Sequence, residues 1–224
     1  MSVNDNDLIL YFKDFVSKDR FNLFQEKVNL RTNFITLVLE DVFQARNISA
    51  SIRSADCFGI KNVHIIENNN TYKHDEEVSL GSEKWVSIER YNKSINNSIE
   101  TCNRLKSDGY QIIATTPHNA DCNLFDLDVS KKIALVFGSE INGCSQDVLE
   151  IADKRVNIPM YGFTESFNIS VSVSLFLQHL TYLIRKNNIK WQLDNKMKNQ
   201  LILYWLRNSI KHSEKIEKKY LSKK

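Results

Sequence analysis

Two runs, residues 110–115 (YQIIAT) and 133–137 (IALVF), are apolar at almost every position. A strand with one face in water alternates apolar and polar residues, whereas an unbroken run must be covered on both faces. Helical crossovers between parallel strands supply that cover in a layered α/β fold. Other segments fit the same plan. Residues 33–39 (NFITLVL) read as the first strand, 63–66 as a second and 156–158 as a late, short one. Residues 67–92 are polar and irregular, with a strand expected around 85–88. Helices are expected over 47–58, with Ile48, Ile52, Ala55 and Cys57 inward and Gly59 as C-cap, over 94–107, and over 145–152. The fold class that follows is α/β: a mostly parallel sheet with helices on both faces.

Helical patterns also occupy both ends. Residues 7–30 place Leu8, Tyr11, Phe12, Phe15, Phe21, Phe24 and Val28 at spacings of three to four, and 194–219 collect Met197, Leu201, Tyr204, Trp205 and Ile210 on one side. The expected organisation is a helical extension over 1–32, a central domain over 33–186 and a basic helical extension over 187–224. A chain of 224 residues, 42% hydrophobic, can fill one such core.

Charge is unevenly spread. Net charge is only +3, yet residues 185–224 hold twelve Lys/Arg against three Asp/Glu, and the first 184 hold eighteen against twenty-four. A basic tail is commonly just a solvated face. Here Trp191, Tyr204, Trp205 and Tyr220 interleave with the cations, which favours a surface that grips a polyanion. Lys196, Lys198, Arg207, Lys211, Lys215, Lys218 and Lys219 are the candidate phosphate contacts. No apolar run approaches the ~18–20 residues of a membrane span. The stretch MSVNDNDLIL is acidic where a secretory signal is basic. Cys57, Cys102, Cys122 and Cys144 form no CxxC and read as free thiols. A cytoplasmic location without a membrane partner is expected.

One segment resists periodicity. From Phe167 to Leu175 apolar and polar residues alternate strictly, as in a half-buried strand, but Ser166 is a possible helix cap and the apolar character continues past His179 and Tyr182. Period alone leaves strand and helix open.

Ligands of such sheets bind beyond the carboxyl ends of strands. Three loops stand out there: the one reaching Asn47 and Arg53, FGSEINGCS (137–145) and IPMYGFTES (158–166). FGSEING is neither GxGxxG nor a P-loop, so a nucleotide-triphosphate or dinucleotide cradle is poorly supported. His118 and Cys122 (HNADC) lack a second ligand pair and read as a polar turn rather than a metal site. Taken singly, Asn47 reads as an N-cap, Arg53 as a surface residue and Glu140 as a cap of the following helix.

Taken together, NISASIR (47–53), FGSEING (137–143) and IPMYGFTESFNISVS (158–172) resemble the three motifs of the SPOUT superfamily of RNA methyltransferases, in its SpoU–TrmH branch of tRNA guanosine 2′-O-methyltransferases. The likeness covers roughly residues 33–185 and its last motif is the most specific. Phe167 stands where the family usually has Leu, and Gln44-Ala45-Arg46 where relatives often have Gln-Pro-His. The resemblance implies a C-terminal trefoil knot, S-adenosylmethionine as cofactor, a homodimer whose sites are completed by the neighbour, and no metal. It implies a helix after Asn168. It also implies catalytic roles for Arg53, Asn47, Glu140, Ser166 and Asn168, and an adenosine site near Thr115, Gly138, Ile158, Met160 and Phe167. The expected reaction is 2′-O-methylation of guanosine-18 in the tRNA D-loop. Ribosomal RNA as substrate, or a non-catalytic RNA-binding protein of the same fold, are the alternatives.

Overall fold

Local sequence decides the elements of the computed structural model, which describes residues 5–222. The first four residues of the acidic N-terminal stretch, and the last two lysines, lie outside that range. In chain order the elements are α1 (Asp5–Lys13), α2 (Lys18–Val28), β1 (Ile35–Glu40), α3 (Ala45–Phe58) and β2 (Asn62–Ile66). There follow the single turn α4 (Glu76–Ser79), β3 (Ser87–Tyr91), α5 (Asn97–Ser107), β4 (Gln111–Thr115) and the two-residue β5 (Cys122–Asn123). The last are β6 (Ile133–Phe137), α6 (Gln146–Ile151), β7 (Lys154–Asn157), α7 (Ile169–Lys186), α8 (Asn195–Ser209) and α9 (Ser213–Leu221). The chain divides into two compact units, residues 33–191 and a unit formed by the two ends, 1–32 with 192–224.

The central unit is built on a seven-stranded parallel sheet of order β3-β2-β1-β6-β4-β7-β5. Successive side chains of a strand point to opposite faces, and both faces here are apolar. Ile35, Leu37 and Leu39 of β1, Ile113 of β4, and Ile133, Leu135 and Phe137 of β6 join a core with Ile48, Ile52 and Ala55 of α3 and Val173, Phe176, Leu177 and Leu180 of α7. Val38, Ile112, Ala114, Ala134 and Val136 point the other way, onto Cys102 and Leu105 of α5 and Val148 of α6. The uninterrupted apolar runs are therefore strands covered by helices on both sides. Each fully buried Leu or Ile contributes about 1.5–3 kcal/mol of transfer free energy.

Strand order positions the site. From β1 the chain steps outward through β2 to β3. It then crosses to β4 on the far side, and β6 fills the gap between β1 and β4. The loops after β1, β6 and β4 consequently leave the carboxyl edge side by side and diverge, which opens a crevice there.

The segment with strand-like alternation is a helix. Asn168 caps α7, its side chain accepting from the Ser170 N–H, whereas Ser166 lies two residues before the cap. The alternate serines occupy distinct helical positions: the Ser174 hydroxyl meets that of Ser54 on α3 at 2.8 Å, and Ser172 faces the crevice. Asn47 is likewise not an N-cap. Gln44 holds that position, and Asn47 lies buried within the first turn of α3.

In the unit made by the ends, α1 and α2 bury Phe12, Phe21, Phe24 and Val28, and α8 buries Leu201, Trp205 and Leu206. Phe24 and Trp205 rings lie 5.6 Å apart, and the Arg31 guanidinium sits 5.4 Å over the Trp205 ring. Two helical stretches are each broken in two. Ser17 stops the first by capping α2, its hydroxyl accepting from the Arg20 N–H. His212, at φ 60°, ends the second between α8 and α9. All four cysteines are free. No described helix is long and apolar enough to cross a membrane.

Candidate active site

A cavity of about 620 Å³ opens at the carboxyl edge of the sheet. Its polar wall is built by three segments far apart in the chain. Glu140, in the loop after β6, accepts hydrogen bonds from the backbone N–H groups of Phe43 (3.0 Å) and Gln44 (3.1 Å), at the start of α3. It also accepts one from Asn47 Nδ2 at 2.8 Å. The amides at a helix start lack partners within the helix and carry partial positive charge, so a carboxylate is favoured there. Burial alone would raise the Glu140 pKa, but the bonds from Asn47, Phe43 and Gln44 outweigh it and hold the carboxyl below the ordinary glutamate value.

Asn47 carries the connection onward. Its Oδ1 accepts from Asn168 Nδ2 at 3.1 Å. Asn168 Oδ1 in turn accepts the Ser170 N–H (2.9 Å) and the Ser170 hydroxyl (2.7 Å). A single chain of bonds thus runs from Glu140 through Asn47 to the cap of α7. The first turns of α3 and α7 are locked to the loop after β6.

That loop depends on glycine. A Cβ on Gly138 would lie 2.0 Å from the Gly143 carbonyl carbon and oxygen, so any other residue there would force the loop apart. Ser139 and Gly143 exchange backbone bonds of 3.0 and 2.9 Å, and Gly143 adopts φ 67°. The turn they close projects Glu140, Ile141 and Asn142.

Nine of the ten expected cofactor and catalytic positions line this one cavity: Asn47, Glu140, Ser166, Asn168, Thr115, Gly138, Ile158, Met160 and Phe167. Arg53 does not. It follows Asn47 by six residues, about 240° further round the helix, and is exposed. Sequence reasoning did not find Gln44, His118 or Glu165 as lining residues. The last two sit at exposed positions with His118 Nε2 3.7 Å from Glu165 Oε2. Among the described residues no group of three or more His, Cys, Asp or Glu is arranged to hold a metal ion.

The candidate phosphate contacts belong to the unit made by the ends. Lys196, Lys211, Lys215, Lys218 and Lys219 are exposed. Arg207 and Lys198 are engaged locally. Arg207 forms a two-pronged bond with Glu217 (2.8 and 2.6 Å), and the Lys198 ammonium donates to Asn29 Oδ1 at 2.8 Å.

Comparison with known proteins places this architecture. The SpoU rRNA methylase family model matches residues 34–178. The tRNA (guanosine(18)-2′-O)-methyltransferase of Borreliella burgdorferi is 40% identical over 203 residues, covering 91% of each chain. The crystal structure of the A. aeolicus TrmH/SpoU tRNA modifying enzyme superposes with a TM-score of 0.77 at 27% identity, covering 87% of this chain and 98% of that one. The SpoU methyltransferase AviRb of Streptomyces viridochromogenes, solved with the cofactor AdoMet, matches in fold at a TM-score of 0.60 and 22% identity, over 73% of this chain and 62% of that one.

Proposed function

The chain belongs to the SpoU methylase family, and on that premise we propose that it methylates the ribose 2′-hydroxyl of guanosine-18 in the tRNA D-loop. The methyl donor is S-adenosylmethionine and the setting is the cytoplasm. The observation that carries this reading is the continuous bond path Glu140–Asn47–Asn168, which gathers the three sequence motifs around one cavity. The trefoil knot belongs to the same reading.

The cavity fits the donor. Its volume of about 620 Å³ falls within the ~300–1,000 Å³ of small-molecule sites. Ile158, Met160 and Phe167 offer apolar surface, and the tight turn at Gly138 brings backbone close, a combination that suits a neutral purine. S-adenosylmethionine supplies a methyl group that is already strongly electrophilic. What remains for the protein is alignment and charge, and alignment alone can lower a barrier by several kcal/mol. Glu140, held as a carboxylate, fixes the start of α3. Asn47 has its amide nitrogen on Glu140 and its oxygen on Asn168, so it braces the wall. Ser166 and Asn168 order the turn entering α7, beside the donor.

Arg53 is the charged clamp on the substrate phosphate and stabilises the developing alkoxide. A substrate phosphate or water takes the proton. The exposure of Arg53 outside its own chain's cavity suits a homodimer in which the neighbouring chain completes each site. Val171, Leu175 and Tyr182 form an exposed apolar stripe along α7, the kind of surface a second copy covers. Lys196, Lys211, Lys215, Lys218 and Lys219 grip the tRNA backbone, joined by Arg207 and Lys198 once released from their local partners.

The test is incubation with labelled S-adenosylmethionine and unmodified tRNA, followed by mapping of 2′-O-methyl groups, with ribosomal RNA fragments in parallel. Methylation confined to guanosine-18 is expected. Label only in ribosomal fragments would move the substrate, and label in neither would remove the enzyme reading.

A further inference from the structure

Asp41, the first residue beyond β1, has φ 49°, a left-handed conformation that costs a non-glycine residue energy and is best tolerated by Asn and Asp. Its carboxylate is fully engaged. Oδ1 accepts three successive backbone N–H groups, from Asn68 (2.8 Å), Asn69 (2.8 Å) and Asn70 (3.1 Å). Oδ2 accepts Asn69 Nδ2 at 2.8 Å. The Asp41 carbonyl accepts Asn70 Nδ2 at 2.8 Å, and its N–H donates to the Ile66 carbonyl at 3.0 Å. Five bonds to the loop after β2, and one to Ile66 at the end of that strand, therefore pin this one residue.

The receiving loop is itself fixed. Asn68 Nδ2 donates to the Ser98 hydroxyl at 2.7 Å, and Asn68 Oδ1 accepts the Asn97 N–H at 3.0 Å, both at the start of α5. Two and three residues after Asp41, the Phe43 and Gln44 amides bind Glu140. Segment 41–44 is thus stretched between two carboxylates, Asp41 at one end and Glu140 at the other. The neighbouring Glu40 is different: it is buried and bonds Ser98 and the α6 cap Ser145, which holds the fold beneath the site.

We propose that Asp41 is a positioning residue for methyl transfer: its carboxylate anchors segment 41–44 so that Glu140 and Asn47 stay aligned with Asn168 at the reacting ribose. This rests on the function proposed above. The cofactor-side residues Thr115, Gly138, Ile158 and Met160 make no bond to this segment, so loss of the anchor acts on turnover and leaves donor binding in place.

Three substitutions separate the possibilities. Asp41→Asn tolerates the left-handed backbone and keeps an oxygen for the three amides. Asp41→Gly relieves the backbone but offers no acceptor, and Asp41→Ala does neither. Each is measured at a temperature where circular dichroism shows it folded, for kcat and KM with tRNA, for S-adenosylmethionine Kd by calorimetry, and for hydrogen exchange at 41–46. A displacement of about 1 Å at a reacting centre costs up to ~100-fold. Ala and Gly should therefore lower kcat by ~10–100-fold, with donor Kd within about threefold of wild type and faster exchange at 41–46. Asn should restore most of kcat. Full kcat in the Gly variant, no rescue by Asn, or donor affinity falling in step with kcat would overturn the proposal. A wild-type protein that methylates no RNA would instead overturn the function on which it rests.

Discussion

The two compact units handle charge in opposite ways. Residues 33–191 hold sixteen Lys/Arg against nineteen Asp/Glu, while the ends, 1–32 with 192–224, hold fourteen against eight. In the central unit the decisive carboxylates turn inward and are satisfied: Glu140 on the Phe43 and Gln44 amides that lead into α3, Asp41 on the loop after β2, Glu40 on Ser98 and the cap Ser145, and Glu67 on Arg90 at 2.7 and 2.8 Å. At the ends, Lys196, Lys211, Lys215, Lys218 and Lys219 are exposed and α9 has no buried residue. Inward carboxylates fix geometry, which alignment chemistry needs. Cations on an exposed helix such as α9 cover no buried group and can meet phosphates. Reaction and grip should therefore fail separately.

The sharpest way to break that division is Arg53→Ala. Loss of a charged stabiliser at a developing oxyanion costs ~10²–10³-fold in rate, and the exposed position of Arg53 makes folding indifferent to it. Methyl transfer should fall at least that far, while S-adenosylmethionine binding by calorimetry and the melting temperature stay unchanged. Turnover near the wild-type rate would return Arg53 to an ordinary surface role.

The effect on grip should be smaller and of a different kind. Removing residues 191–224 would strip Leu201, Trp205 and Leu206 from the core they form with Phe24 and Val28, so truncation confuses folding with binding. Lys215, Lys218 and Lys219 can be changed to alanine on α9 without touching a buried group. Each lost phosphate contact reduces the slope of log K against log salt by about 0.7–0.9. The triple variant should bind tRNA ~10–100-fold more weakly near physiological salt, with a shallower slope and unaltered donor affinity. An equal loss of donor affinity would contradict the separation.

How far each region could be read from its residues follows from the same contrast. Strands buried on two faces announce themselves, because cover on both sides demands unbroken apolar runs like IALVF. The two-residue β5 is too short to show any period. α7 was ambiguous because its serines serve separate local contacts, with Ser54, the cavity and the Asn168 cap, and happen to fall at alternate positions. The motifs named Asn47, Glu140 and Asn168, but not their mutual bonds, since partners lie 93 and 121 residues apart. Asp41 left no signal, because an aspartate after a strand is an ordinary turn residue. At the ends, Ser17 is a recognisable cap, while His212 in a left-handed conformation is an unusual residue to stop a helix. Which cations are free was also beyond a linear reading: Arg207 is bound to Glu217, ten residues on.

The finest effect concerns acid. His64 is buried on β2 with Nδ1 2.9 Å from the Tyr91 hydroxyl. Burial pushes its pKa down to about 4; nearby Glu89 and Asp108 pull it up, and Arg104 and Lys61 push it down. The folded imidazole therefore refuses a proton that the unfolded chain accepts near the ordinary value of 6.5. Stability is full above that value, falls as pH drops below it, and stops falling on this account near pH 4, where the folded form also protonates. Between pH 7 and 5 the melting temperature of the wild type should drop a few degrees more than that of His64→Gln. Hydrogen exchange, corrected for its intrinsic pH dependence, should place the loss in β1 and β2. α8 should keep its protection relative to them, since the unit formed by the ends has a single histidine, His212, and it is exposed. Identical pH profiles for the two proteins would show that the buried imidazole does not couple to folding. A loss beginning in α8 would show that acid acts first on the cationic unit, reversing the order in which the two regions are held together.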